Sequence, residues 1–242
     1  MDKGVFKVGE KTIGILGGMG PEATADLYLR IIRATPAERD QDHPRTIIYS
    51  NSKVPDRTPA IVGDGPSPVP EMLKAARSLE EAGADFLVMP CNTAHFFIRE
   101  LREGVGIPIL HMIELTAEKV SRELPGVKDA GLIATDGTVM SGIYHGSFGE
   151  HGVDVMVPSE EHQRASMKAI YGHIKAGDLE GGREILLGVA SALVDGGAQA
   201  VVCGCTEVSL VLGEGDVPVP VVDPLQVLAE AAVGVALGRA EP

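Results

Sequence analysis

Two cysteines stand at matching positions of two similar segments, residues 83–93 and 197–207. In each segment a short apolar run leads to Cys91 or Cys205, and the two cysteines, like the glycines that open the segments, are 114 residues apart. A thiol of ordinary pKa ionises at neutral pH at a cost of about 2 kcal/mol, and its thiolate can accept a proton. Two thiols on opposite sides of one cleft would therefore supply both a proton acceptor and a proton donor.

The alternative for each cysteine is burial as a small hydrophobic residue, which is common for this residue type. A pair in register across a repeat favours function for Cys91 and Cys205, whereas Cys203 lies inside an apolar run and is predicted to belong to the core. The Cys203-x-Cys205 spacing differs from the usual C-x₂-C zinc pattern, and no paired ligands follow it, so we predict no zinc site here. We also expect a helix to begin after each reactive thiol and to ease its ionisation.

The repeat predicts two lobes of roughly 100 residues each, which strands and helices build in alternation. The predicted strands are 11–16, 46–50, 85–89, 107–110, 129–134, 153–157, 200–203 and 219–222. The predicted helices are 21–33, 70–82, 93–103, 159–174, 179–195 and 224–237, with a polar loop at 51–58. This alternation is typical of an α/β protein with parallel sheets, whose ligands bind at the carboxyl ends of the strands. We assign 1–114 with 222–242 to the first lobe, closed by the last helix, and 115–221 to the second.

Charge, apolar content and cysteine count indicate which classes of partner and location to expect. With 34 acidic and 21 basic residues the net charge is −13, and without clustered Lys and Arg we expect no nucleic-acid partner. No run of about 20 apolar residues is present, so we expect no membrane span. Three cysteines, with no apolar signal segment at the N-terminus, predict reduced thiols and a cytoplasmic location.

Glycines at 17, 18 and 20 follow the first predicted strand, and residues 18–23 match the G-x-G-x-x-A pattern of dinucleotide sites. The second strand, however, is not followed by the acidic residue that would bind a ribose. Backbone N–H groups at this helix start could instead bind a carboxylate, or the glycines could simply form a turn.

Other side chains near these motifs have two interpretations each. His95, about one helical turn after Cys91, either tunes the thiol or serves packing. Glu207 is either a partner of Cys205 or a charge favoured by a helix dipole. Arg57 and Lys175, taken singly, are typical of surface cations.

Five segments together resemble the aspartate/glutamate racemase superfamily, and among its branches the cofactor-independent aspartate racemases. They are residues 17–21, 55–58, 90–95, 170–175 and 204–207. The resemblance spans nearly the whole chain and implies two Rossmann-like lobes related by a pseudo-two-fold axis, with the active site between them. It further implies a small amino-acid substrate, with no cofactor and no metal. We also expect the chain to form a homodimer.

Carried over by motif, Cys91 and Cys205 correspond to the two acid/base residues on opposite faces of the substrate Cα. The resemblance makes Cys205 the base toward the L form and Cys91 the base toward the D form. Arg57 and Lys175 correspond to the cations that bind carboxylates. The remaining predicted substrate-binding residues are Met19, Asn92, Thr93, Thr135 and Thr206, with Thr138 also near the cleft.

The predicted function is thus racemisation of aspartate or glutamate by 1,1-proton transfer, with the two sulfurs roughly 7–10 Å apart across the substrate. Two alternatives remain in the superfamily, a maleate cis–trans isomerase and a hydantoin-type racemase. A third is a non-catalytic two-lobed binding protein. The cation pair weighs against a cyclic hydantoin, and the two cysteines weigh against binding alone.

Overall fold

The computed structural model describes residues 10–242, so most of the N-terminal segment examined for a signal peptide lies outside the described part. Within residues 10–242 the chain forms seven strands, which are β1 Ile13–Gly17, β2 Thr46–Ser50, β3 Phe86–Val88, β4 Asp129–Ile133, β5 Asp154–Met156, β6 Ala200–Cys203 and β7 Val221–Val222. Ten α-helices connect and cover them: α1 Pro21–Ala34, α2 Arg57–Val62, α3 Val69–Glu81, α4 Ile98–Gly104, α5 Met112–Glu123, α6 Asp136–Ser141, α7 Ile143–Glu150, α8 Glu160–Met167, α9 Leu179–Asp195 and α10 Pro224–Ala236. None of the helices in this part of the chain is both long enough and apolar enough to cross a membrane.

The strands form two parallel sheets, one in each half of the chain. Their orders are β2-β1-β3 and β5-β4-β6-β7. A single bridge between Leu87 and Ile109 extends the first sheet at the place that β7 occupies in the second. The predicted α/β fold of two similar parallel-sheet lobes is therefore confirmed, and we call them the first and the second lobe.

Each sheet lies between two layers of helices. In the first lobe, α1 and α10 pack on one face of the sheet and α3 and α4 on the other. In the second lobe, α7 packs on one face and α9 on the other. Helix α5 joins the two lobes, because Met112 is buried in the first lobe's core and Ile113 in the second's. The proposed boundary between residues 114 and 115 falls inside this helix, and the division of the chain into domains stays a prediction. Helix α10 packs on α1 of the first lobe, whereas Val222 lies in β7 of the second lobe's sheet.

Two local predictions, the strand at 107–110 and the full extent of the loop at 51–58, were wrong for reasons that the sequence gives. Residues 107–110 form only the bridge at Ile109, next to Pro108, which has no N–H to donate to a ladder. The expected loop at 51–58 ends in α2, which begins at Arg57 because the Asp56 side chain accepts from the N–H of Thr58. Helix α8 continues as a π-helix over Lys168–His173 and a 3₁₀ turn over Ile174–Ala176.

Besides α2, three helices of the described residues have no counterpart in the prediction. Helix α5 carries the apolar spacing of an amphipathic helix, which would have identified it. Helices α6 and α7 are short and contain several glycines, so packing and not helix propensity determines them.

Candidate active site

The cleft between the lobes is lined by residues that follow the carboxyl ends of strands in both sheets. Met19 follows β1, Cys91 follows β3, Thr135 follows β4 and Cys205 follows β6. All nine predicted site residues line this one cleft, namely Met19, Arg57, Asn92, Thr93, Thr135, Lys175 and Thr206 with the two cysteines. Four residues outside that prediction join them, namely Asp56, Thr58, Tyr171 and Glu207.

The cleft is closed almost completely. Its cavity volume is about 20 Å³, which is room for about one water molecule. An amino acid is larger, so the cleft must widen before a substrate of that size can enter.

Cys91 is held through its backbone. Its N–H donates to the carbonyl of Met89 (2.8 Å), and its own carbonyl lies 2.8 Å from Nδ1 of His95. Because Nε2 of His95 accepts from the N–H of Met112 (3.2 Å), the ring proton is on Nδ1 and donates to Cys91. Burial lowers the pKa of His95 to about 4, so the ring is neutral. His95 therefore orients the backbone of Cys91 and makes no contact with its sulfur among these hydrogen bonds.

A cation faces the sulfur of Cys91. Burial opposes the charge on Arg57, but its interactions with the side chains of Cys91 and Asp56 raise the pKa of this guanidinium. Its Nη1 donates to the carbonyl of Pro55 (3.0 Å) and its Nη2 to that of Met19 (3.4 Å). Nε is buried and has no hydrogen-bond partner among residues 10–242. Arg57 is thus held in position with donor capacity left over.

Cys205 has a different environment. Its Sγ donates to Oε2 of Glu207 (2.9 Å), and Oε1 of the same carboxylate pairs with Nζ of Lys175. Burial, followed by the charge of Glu207 and its hydrogen bond, raises the pKa of Cys205 well above the ordinary range. The expectation that a helix start eases ionisation is wrong for this thiol, since only a 3₁₀ turn over Val208–Leu210 follows it.

Lys175 is close enough to both cysteine side chains to interact with them electrostatically. Burial opposes its protonated form, while Glu207, Cys205 and Cys91 together raise the pKa of Lys175. In return, Lys175 lowers the pKa of Glu207 in spite of the burial of that carboxyl group. The two form an ion pair inside the cleft.

Hydrogen bonds between the lobes tie the cleft together. Thr93 Oγ1 of the first lobe lies 2.8 Å from Thr138 Oγ1 and 3.2 Å from Thr135 Oγ1 of the second. Tyr144 OH, also from the second lobe, donates to Oδ1 of Asn92 (2.6 Å). Asn92 Nδ2 is buried and has no partner in the described part of the chain. It is therefore available as a donor to a ligand.

Tyr144 is a site residue that the sequence prediction missed. It lies in α7, where the sequence gives little helical signal, and its ring is fully buried beside Phe148. No motif at position 144 indicates its contact with Asn92.

At the cleft mouth the lobes approach closely. Tyr171 OH, in the π-helix, donates to Oδ2 of Asp56 (3.2 Å), and Lys175 Nζ lies 5.6 Å from the centre of the Tyr171 ring. A Cβ at Gly137 would be 2.8 Å from the Cα of Thr58, so only a glycine lets α6 pack this closely on α2.

The glycine loop after β1 is required by the backbone conformation and by close packing. Gly18 has φ of +93°, a Cβ there would lie 2.2 Å from the backbone of Asn51, and its N–H donates to Oγ1 of Thr24 (2.8 Å). These contacts explain this glycine without a dinucleotide.

Among residues 10–242 no cluster of three His, Cys, Asp or Glu side chains could hold a metal ion. Cys203 is buried in β6 among core residues, as predicted.

Comparisons of the sequence and of the structure with known proteins both find racemases. The sequence matches the family described as Asp/Glu/Hydantoin racemase over residues 16–232. A broad-specificity amino-acid racemase of Bacillus subtilis (strain 168) is 29% identical over 229 residues, covering 91% of this chain and 96% of that protein. The aspartate racemase of Picrophilus torridus has a TM-score of 0.85 at 34% identity, covering 93% of this chain and 94% of the other. A glutamate racemase of Francisella tularensis subsp. tularensis SCHU S4, in complex with D-glutamate, shares the fold, with a TM-score of 0.65 at 16% identity, covering 96% of this chain and 82% of the other.

Proposed function

This chain belongs to the Asp/Glu/hydantoin racemase family, and on that premise we propose that it racemises an amino acid by proton transfer at Cα, without a cofactor. The observation that carries the proposal is that Cys91 and Cys205 line one cleft together with Arg57 and Lys175. A thiol from each lobe and two cations are what a two-base reaction on a carboxylate requires.

In the proposed reaction one thiolate removes the α-proton, and the opposite thiol delivers its own proton to the other face of Cα. The product is the mirror image of the substrate, and the two sulfurs have exchanged protonation states. The roles reverse for the other enantiomer.

The transition state gains negative charge on the α-carboxylate as the carbanion becomes enolate-like, so donors positioned in advance favour it. Arg57 suits this carboxylate, because a guanidinium can donate two parallel hydrogen bonds. Asn92 Nδ2, which is buried and unpartnered among the described residues, supplies a further donor. The hydroxyl groups of Thr93, Thr135 and Thr206 and the backbone around Met19 would complete the substrate contacts.

Aspartate or glutamate is the substrate we propose first. Lys175 would bind the side-chain carboxylate while Arg57 holds the α-carboxylate. The similarity to the Picrophilus torridus aspartate racemase over most of both chains supports this choice.

A broad amino-acid specificity is the second candidate, and the Lys175–Glu207 ion pair favours it. Because Lys175 already has a carboxylate partner, a substrate with a neutral side chain would leave no unpaired charge there. The relative from Bacillus subtilis is described as broad in specificity.

The experiment is hydrogen exchange in D₂O. Both enantiomers of aspartate, glutamate and alanine are incubated with the protein, loss of the α-proton is followed by NMR, and the enantiomers are separated by chiral chromatography. The Cys91→Ser/Cys205→Ser double variant is the control. Exchange with aspartate or glutamate but not alanine supports the first candidate, similar rates with all three support the second, and no exchange with any amino acid contradicts the proposal.

A further inference from the structure

The two thiols of the cleft face opposite charges. The sulfur of Cys91 is beside the Arg57 guanidinium, whereas that of Cys205 donates to the Glu207 carboxylate. The repeat makes this contrast sharp, because the residue two positions after the cysteine is Thr93 in one lobe and Glu207 in the other. A nearly symmetric fold thus presents two chemically different sulfurs.

The groups that face Cys205 can be named. They are Glu207, Lys175 and Tyr144, whose charge or hydroxyl is close enough to interact with this sulfur. Burial raises the pKa of Tyr144 well above its usual range, so its phenol is neutral. The positive charge of Lys175 is paired with Glu207, whose second oxygen accepts the S–H of Cys205.

A thiolate at Cys205 would lose this hydrogen bond and bring two anions together in a buried site, which favours the protonated form. The contact is short, since Sγ and Oε2 are 2.9 Å apart, and both side chains are buried.

We propose that Glu207 is a positioning residue that keeps Cys205 protonated in the resting protein, so that the resting protein turns over the enantiomer whose α-proton faces Cys91, which the family resemblance makes the D form. The proposal rests on the two-cysteine reaction proposed above. In the first transfer Cys91 S⁻ takes the α-proton to become S–H, and the electron pair of that bond stays on Cα. Cys205 S–H then gives its proton to the opposite face of Cα and is left as a thiolate. The resting state returns when Cys205 regains a proton and Cys91 loses one to solvent.

The test measures the reactivity of each thiol directly and needs no turnover. The protein is treated with iodoacetamide between about pH 6 and pH 9.5, and alkylation at Cys91, Cys203 and Cys205 is followed over time by tandem mass spectrometry. In the parent we expect Cys91 to react first at neutral pH and Cys205 to react only at higher pH.

Three variants test whether the negative charge of the Glu207 carboxylate is what slows the alkylation of Cys205. Glu207→Gln keeps the size of the side chain and removes the charge, so alkylation of Cys205 near pH 7.5 should rise about tenfold for each unit by which its pKa falls. Glu207→Asp keeps the charge and should leave Cys205 slow to react. Glu184→Gln removes an exposed carboxylate on α9 and should behave as the parent.

Faster alkylation of Cys205 than of Cys91 in the parent, or equal rates for the two, would overturn the inference without any variant. An unchanged pH dependence for Cys205 in folded Glu207→Gln would do the same. If that variant does not fold, the parent ratio and Glu207→Asp decide the matter. A selective pattern in a protein that exchanges no amino-acid proton would instead contradict only the proposed function.

Discussion

Replacing Tyr144 by Phe tests whether Asn92 is held in place for a ligand. The substitution removes one hydroxyl that donates to Oδ1 of Asn92 at 2.6 Å and keeps the ring that packs on Phe148. Asn92 then loses the contact that directs its Oδ1 away from the cleft and leaves Nδ2 free for a substrate carboxylate.

Two magnitudes follow from this geometry. Tyr144 is 1% exposed and Asn92 is 3% exposed, so the carbonyl of Asn92 is left buried without its donor. That loss costs about 1–3 kcal/mol of unfolding free energy, or roughly 2–12 °C in Tm for a protein of this size. A charge-assisted hydrogen bond is worth about 1.5–3 kcal/mol, so weakening the one from Asn92 should lower kcat/KM about tenfold or more.

The assays are racemisation kinetics on the preferred substrate and thermal unfolding followed by circular dichroism. Tyr28→Phe is the matched control, because it removes the same hydroxyl from an exposed tyrosine on α1. If Tyr144→Phe has the same kcat/KM and the same Tm as the parent protein, the reasoning is refuted. A lower Tm with unchanged kcat/KM would restrict Tyr144 to stability and remove Asn92 from the proposed substrate contacts.

Three further predictions concern the thiols, the cation and pH. Cys91→Ser and Cys205→Ser should each nearly abolish racemisation, because a hydroxyl is a far weaker acid than a thiol. Cys203→Ser should affect stability only. Chiral chromatography of the product checks all three variants. Arg57→Lys should lower kcat/KM roughly 10- to 150-fold, because an ammonium cannot donate the two parallel bonds of a guanidinium, and the ratio of kcat/KM for aspartate and alanine shows whether a second carboxylate matters. His95 is neutral in the fold with a pKa of about 4 against an unfolded value of about 6.5, so its contribution of roughly 3 kcal/mol is complete above pH 6.5 and is lost as pH falls towards 4. Urea unfolding at about pH 7.5 and pH 5 should therefore depend on pH less in His95→Gln than in the parent.

The sequence predicts those parts of the fold that local patterns determine. Strands β2 and β6 and helix α9 match their predicted bounds, because apolar runs end there at turn residues or helix caps. The two-lobe arrangement follows from the repeat. The gathering of the nine site residues in one cleft is consistent with the rule that ligand sites lie at the carboxyl ends of parallel strands.

The sequence does not predict contacts that depend on how the lobes meet. Tyr144 and Asn92 are 52 residues apart and belong to different lobes. The two roles considered for Glu207 could be separated only when its side chain was seen to reach back to Cys205 and across to Lys175. His95 likewise required the position of the Met112 N–H before its tautomer could be assigned.

Three of the residues that join the lobes also line the cleft, namely Asn92, Thr93 and Thr135, and this couples closure to assembly of the site. Thr93 bonds to Thr135 and Thr138 across the gap, Asn92 bonds to Tyr144, and every one of these groups is buried. Because the cavity has room for about one water, the cleft must widen to admit a substrate, and any widening by movement of the lobes would break these bonds. Their free energy then contributes both to the closed state and to the alignment of the two thiols, so substitutions here should change stability and turnover together.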